Sequence, residues 1–245
     1  MAYLVLCAWL FFFQRSLIYF PQPGSPSNST SVLTLPTTEA KVLVSVRPQP
    51  GPDALIYFGG NAEDTSQSLP GLSAAFPNHA LYLLHYRGYG GSSGSPSEEA
   101  LFQDGMTLFD QVQAHHQRII LFGRSLGTGI AIHVASLRPA SRLVLVTPYD
   151  SLQDLASSHY PYIPVRWLLR DKYESWRYAP QVQAPTLILV AQHDEVIPWA
   201  STQRLITRFR EGLASLQVIA GTSHNTIDES PRYLEALKAL PESKR

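Results

Sequence analysis

Apolar residues in this chain fall into two rhythms. Short unbroken runs occur at Ala54–Phe58, Ala80–Tyr86, Ile119–Phe122, Arg142–Val146, Thr186–Ala191 and Leu216–Ala220. Runs of that length suit strands buried on both faces. Helical spacing separates them: from about Gly60 to Ala75, over Pro96–His116, after Gly127, over Ser201–Arg210 and over Pro231–Leu240. In Pro96–His116, Leu101, Met106, Leu108, Phe109 and Val112 share a face. Ser95 is its predicted cap, with Pro96 first in the helix and Glu98 and Glu99 in the opening turn. Val32–Leu35 and Lys41–Arg47 alternate as antiparallel edge strands would. Strand–helix alternation from Ala54 onward predicts an α/β protein, with a mostly parallel central sheet and helices on both faces.

One connection is long. Residues 149–182 form an insert carrying Tyr160, Tyr162, Trp167, Tyr173, Trp176 and Tyr178. It leaves the carboxyl end of a strand, so it should lie over that sheet edge as a short cap. Tyr160 and Trp167 are its candidate substrate contacts. The aromatics could equally serve only to pack the insert onto the body.

The start of the chain breaks the pattern. Met1–Phe13 carries no charge and is almost wholly apolar; Gln14 and Arg15 interrupt it, and Leu17–Phe20 resume. Residues 1–20 are therefore expected to associate with a membrane as an anchor, a transmembrane helix whose Arg15 must snorkel. An atypical signal segment and a helix folded onto the domain are the competing readings. Residues 21–31 are rich in proline, glycine and serine, as a linker to a domain at 32–245 would be, and Asn28-Ser29-Thr30 fits a glycosylation acceptor. Acidic and basic residues balance at 19 each, so nothing favours nucleic acid as a partner. The sole cysteine, Cys7, excludes an internal disulfide.

The chemistry centres on Gly123-Arg124-Ser125-Leu126-Gly127, set between the Ile119–Phe122 strand and a helical pattern. Strand, G-x-S-x-G and helix make a nucleophile elbow, a strained turn that holds a serine at the carboxyl end of the sheet. A serine needs a base, and the base an orienting acid. Of eight histidines, His224 follows the last strand at that same edge. His133 lies inside the elbow helix, His115 and His116 end a helix as solvated residues would, His79 and His85 flank a strand, and His159 sits in the insert. Asp194 follows the preceding strand, with Glu195 and Asp150 as rivals. The order Ser125, Asp194, His224 is that of α/β-hydrolases. For the oxyanion, the amide of Leu126 is one expected donor; Asn61, or Gly60 beside it, should supply the second.

With Phe13–Pro21, Tyr57–Ala62, Tyr86–Gly90, Gly123–Gly127, His193-Asp194 and Ser223-His224, the chain resembles α/β-hydrolase-fold serine hydrolases. More narrowly, it is similar to alpha/beta-hydrolase-domain proteins with an amino-terminal membrane segment, including bacterial members and relatives of protein depalmitoylases. The resemblance implies Ser125 as nucleophile, Asp194 as acid, His224 as base and no cofactor or metal. It departs where Gly59 stands in place of the family's usual histidine. The expected reaction is hydrolysis of a carboxylic ester or thioester bearing an apolar acyl group. The expected partners are a small or lipid-like acyl substrate or an acylated protein. A peptidase or amidase with the same triad, and a non-catalytic binding protein of this fold, remain alternatives.

Overall fold

The computed structural model describes residues 1–24, 31–37 and 39–240 of the 245. Its strands are β1 (Ser31–Leu35), β2 (Val42–Arg47), β3 (Asp53–Phe58), β4 (Ala80–Leu84), β5 (Arg118–Arg124), β6 (Arg142–Val146), β7 (Thr186–His193) and β8 (Ala214–Ser223). They form one sheet in the order β1-β2-β4-β3-β5-β6-β7-β8. β2 pairs antiparallel with β1 and β4, and every later pairing is parallel. The α-helices are α1 (Ala2–Ile18), α2 (Leu69–Ala75), α3 (Glu98–Gln113), α4 (Leu126–Leu137), α5 (Leu152–His159), α6 (Val165–Leu168), α7 (Ser175–Tyr178), α8 (Trp199–Ile206) and α9 (Pro231–Lys238).

The unbroken apolar runs are explained by burial on both faces. In β3, Ile56 and Phe58 join a core with Leu101, Phe109, Ile130 and Val134 of α3 and α4. Leu55 and Tyr57 point the other way, into a core with Leu72, Phe76, Ala236 and Leu237. A strand with two dry faces has no polar position to alternate with.

Several boundaries differ from expectation; the helix expected from about Gly60 begins only at Leu69. α3 begins at Glu98, because Ser97, extended at φ −155°, accepts the Ala100 amide at 3.2 Å. Ser95 and Pro96 precede it in non-helical backbone. β8 starts earlier and runs on to Ser223, its pairing with β7 carried from Thr186↔Ala214 to His193↔Ser223. α8 ends at Ile206, short of Arg210. His116, expected in solvent, is buried between Gly51 O at 2.9 Å and the Tyr82 hydroxyl at 3.0 Å. The glycosylation acceptor at residues 28–30 and most of the 21–31 linker lie outside the described residues.

α1 also differs. Its 17 residues span about 25 Å at ~1.5 Å per residue, and no helix among the described residues is long and apolar enough to cross a membrane. α1 lies against the insert. Gln14 is buried; its Nε2 donates to Leu168 O at 3.0 Å, and its Oε1 accepts from the Arg170 amide at 2.7 Å. Arg15 pairs with both oxygens of Asp171, at 2.9 and 3.2 Å. The two polar residues that interrupt the apolar run therefore find their partners in the insert, not at a lipid headgroup.

Candidate active site

Ser125 sits between the end of β5 and the start of α4 at φ 48°, ψ −117°, a conformation that costs an L-residue energy. Its amide donates to Val146 O at 2.9 Å, which ties the turn to β6. The flanking glycines are required by contact. A Cβ on Gly127 would lie 2.1 Å from Phe58 O, and one on Gly123 would lie 2.6 Å from Gly127 O. Only bare backbone lets the helix start this close to β3.

β7 and β8 bring two more side chains to the same edge. His224 follows β8 directly and is buried. Its Nε2 lies 3.0 Å from Ser125 Oγ, and its Nδ1 lies 3.0 Å from each oxygen of Asp194. A carboxylate only accepts, so Nδ1 carries the proton and Nε2 is left to accept from the serine hydroxyl. Asp194 Oδ1 also takes the amides of Val196 and Ile197 at 2.9 and 2.7 Å, which fixes its plane. The rivals are engaged elsewhere. Asp150 accepts from Ser201 Oγ and Arg204 Nε, both at 2.5 Å, and so joins the insert to α8. Glu195 takes the backbone amide of His224 at 3.2 Å.

The loop after β3 supplies what the sequence did not reveal. Glu63 Oε2 accepts the Gly60 amide at 2.6 Å, while its Oε1 accepts the hydroxyls of Tyr57 at 2.7 Å and Ser68 at 2.6 Å. Gly60 N–H is thus already spent, which removes Gly60 from the expected oxyanion donors. The amides of Asn61 and Leu126 donate to no group among the described residues. The Asn61 side chain has a separate task. Its Nδ2 donates to Ile18 O at 2.5 Å, and its Oδ1 accepts from the Phe20 amide at 3.3 Å and the Tyr89 hydroxyl at 3.1 Å. It therefore latches the end of α1 onto this loop. No sequence motif marks Glu63; the only hint is a carboxylate three residues after Gly60.

A cavity of about 730 Å³ opens over Ser125. One wall is α1 (Leu10, Gln14, Leu17, Ile18), with Phe20 just beyond it. The insert contributes Leu152, Leu155, Tyr160, Ile163 and Leu168 to the lining, and the loop after β7 contributes Val196 and Ile197. The lining is predominantly apolar. Tyr160 is part of the lining, but Trp167 of α6 is not and is 83% exposed. Position in an aromatic insert did not say which way that ring would turn. Tyr149 lines the floor and donates to Leu126 O at 3.2 Å; burial pushes its phenol well above the usual range, so it stays a neutral donor. Behind the wall, the Tyr19 hydroxyl meets Asp171 Oδ2 at 3.2 Å and the Tyr173 hydroxyl at 2.8 Å.

No family model matches the chain. It is 34% identical over 229 residues to the uncharacterized protein Rv2307c of Mycobacterium tuberculosis, covering 86% of this chain and 80% of that protein. The alpha/beta hydrolase domain-containing protein aho-3 of Caenorhabditis elegans is 31% identical over 203 residues, 80% of this chain and 59% of aho-3. Lysophosphatidylserine lipase ABHD12 of Gallus gallus is 28% identical, over 77% of this chain and 58% of its own length. Among solved structures, mouse alpha/beta hydrolase domain-containing protein 10 superposes with a TM-score of 0.66 at 16% identity, covering 85% of this chain and 95% of that one.

Proposed function

We propose that this chain, whose fold is that of the α/β-hydrolases, is a serine hydrolase that cleaves the ester or thioester of a single apolar acyl chain. The observation that carries the reading is the relay Ser125 Oγ–His224 Nε2 and His224 Nδ1–Asp194, each link 3.0 Å, opening into an apolar cavity. A volume of about 730 Å³ lies within the ~300–1,000 Å³ common for sites that enclose one small ligand. The lipase name of the chicken relative supports the same class of substrate.

In this scheme Ser125 Oγ attacks the carbonyl carbon and His224 Nε2 takes the hydroxyl proton. Asp194 holds the ring in the correct tautomer and stabilises the imidazolium. The carbonyl oxygen, now an anion, is met by the Leu126 and Asn61 amides, the first at the positive end of α4. Collapse breaks the bond to the alcohol or thiol, which leaves with the proton from His224. Water then repeats the sequence on the acyl-enzyme and releases the acid. No cofactor enters any step. The apolar walls favour an acyl group over a peptide, whose backbone would need hydrogen-bonding partners there.

A fluorophosphonate probe is expected to label wild-type protein and not Ser125→Ala. Turnover of soluble esters should rise with acyl length until the cavity is filled. Labelling that survives in Ser125→Ala, or faster cleavage of aminoacyl amides than of acyl esters and thioesters, would overturn the assignment.

A further inference from the structure

The outer surface of α1 and the insert is not a normal aqueous face. Of the 19 large apolar residues left exposed among the described residues, 13 lie in residues 1–20 or at Tyr160, Tyr162 and Trp167. Phe12 is 77% exposed and Trp167 83%. A surface helix ordinarily turns its polar side outward, yet α1 buries Gln14 against the insert and presents leucine, tryptophan and phenylalanine to solvent. Large exposed apolar patches mark a surface that meets another phase or molecule.

Charge selects the occupant. Residues 1–20 and 155–170 contain no aspartate or glutamate, although the chain as a whole is balanced. Arg166 and Arg170 are exposed there, and neither makes an ion pair among the described residues; Arg170 lies over the Phe11 ring, 6.0 Å from its centroid. Apolar and aromatic side chains mixed with unpaired cations are the composition of a surface that rests on an anionic bilayer. A self-associating face would need carboxylates to answer those arginines.

The two elements are fastened to each other. The Tyr3 hydroxyl donates to Tyr162 O at 2.8 Å, and the Gln14 and Arg15 contacts join α1 to the segment after α6. Leu17, Phe20 and Tyr160 are exposed and also line the cavity, so its mouth opens on this face.

We propose that α1 and the insert together form a docking surface for an anionic lipid bilayer, with α1 lying along the interface and not across it, so that the cavity mouth meets the lipid directly. Docking itself is independent of the chemistry; its use for feeding acyl substrate to Ser125 rests on the proposed hydrolase activity.

Full-length protein carrying Ser125→Ala is tested for flotation with vesicles of phosphatidylcholine alone and of phosphatidylcholine mixed with phosphatidylglycerol. Wild-type protein is assayed in parallel on a soluble short-chain ester. The protein should bind the mixed vesicles more tightly, with a blue shift in tryptophan emission. Arg166→Glu with Arg170→Glu should weaken binding to the mixed vesicles about tenfold or more and leave the weaker binding to phosphatidylcholine unchanged. Phe12→Glu with Trp167→Glu should weaken both. Both pairs lie outside the cavity and should keep short-ester turnover. Absence of vesicle binding, or equal binding by all variants, overturns the proposal. So does concentration-dependent dimerisation that Phe12→Glu with Trp167→Glu abolishes while vesicles bind nothing, which would assign the face to a second copy of the chain. Binding as expected with no ester turnover by wild-type protein would leave the docking surface standing and remove the hydrolase reading.

Discussion

Replacing Glu63 by alanine should damage catalysis without touching any residue of the relay. The carboxylate takes three donors, the Gly60 amide and the Tyr57 and Ser68 hydroxyls, at 2.6–2.7 Å. Hydrogen bonds to a charged group contribute about 1.5–3 kcal/mol each, and a buried donor left unmade costs about 1–3 kcal/mol. The two hydroxyls stand 3.4 Å apart and can turn to each other, so the Gly60 amide loses most. The expected loss of stability is about 2–4 kcal/mol. The freed Gly60–Asn61 peptide then no longer holds the Asn61 amide in place. Complete loss of an oxyanion donor costs about 2.7–4 kcal/mol. Displacement without loss should cost about half of that, a fall in kcat of about 10- to 30-fold. KM should change little, because the substrate carbonyl carries no full charge before attack. Glu63→Gln is the informative control. Its carbonyl can still accept from Gly60 while its amide donates to both hydroxyls, so most of kcat and stability should return. The assay is steady-state turnover of a soluble ester, corrected by fluorophosphonate titration for the folded fraction, alongside thermal unfolding. A Glu63→Ala enzyme with unchanged kcat per titrated site would refute the placement of Asn61 as the second donor.

Three further outcomes are expected. Gly127→Ala places a methyl 2.1 Å from Phe58 O, a backbone atom that cannot step aside, so soluble expression and probe labelling should both collapse. Asn61→Ala keeps the backbone amide but frees Ile18 and Phe20, so KM for long-chain esters should rise several-fold while kcat on a short ester stays within about twofold, read from chain-length profiles. His133 is stacked 3.9 Å from Phe102 with Nδ1 buried and unpaired among the described residues, and burial lowers its pKa to about 4. Because the folded value lies below the ~6.5 of the unfolded chain, the unfolded state binds the proton first, and stability should drain as pH falls from about 6.5 to 4. Allowing for its partial exposure, the loss is about 1–2 kcal/mol. His133→Phe should flatten that part of a pH–unfolding curve.

How much was legible depended on whether a feature is carried by local pattern. β3, β5 and β6 announced themselves because burial on both faces leaves no polar residue to blur the run. Ser125, Asp194 and His224 could be nominated because each follows a strand of a parallel sheet, and such positions share one edge whatever the intervening loops do. Glu63 was silent, since its three donors come from β3, the loop after it and the turn before α2, and nothing in their spacing declares a shared acceptor. Trp167 misled because an aromatic in an insert states how much area it carries and not which side it faces. Gln14 and Arg15 read as blemishes in a membrane segment, because the groups that satisfy them, around residues 168–171, are some 150 positions away. Ser97 was passed over for Ser95 because both precede acidic residues; only the extended backbone at Ser97 decides between them.

The way α1 is fastened has a practical bearing on making the protein. Trimming residues 1–20 to gain solubility would take Tyr19, 3% exposed, out of the core. It would strip Asp171, also 3% exposed, of its guanidinium and phenol partners, and leave an orphaned carboxylate under the insert. The shortened protein would shed a greasy exterior only to bare the flank of its own binding chamber. Detergent-matched full-length preparations, or point changes at Phe12 and Trp167, are the sounder route to a crystal.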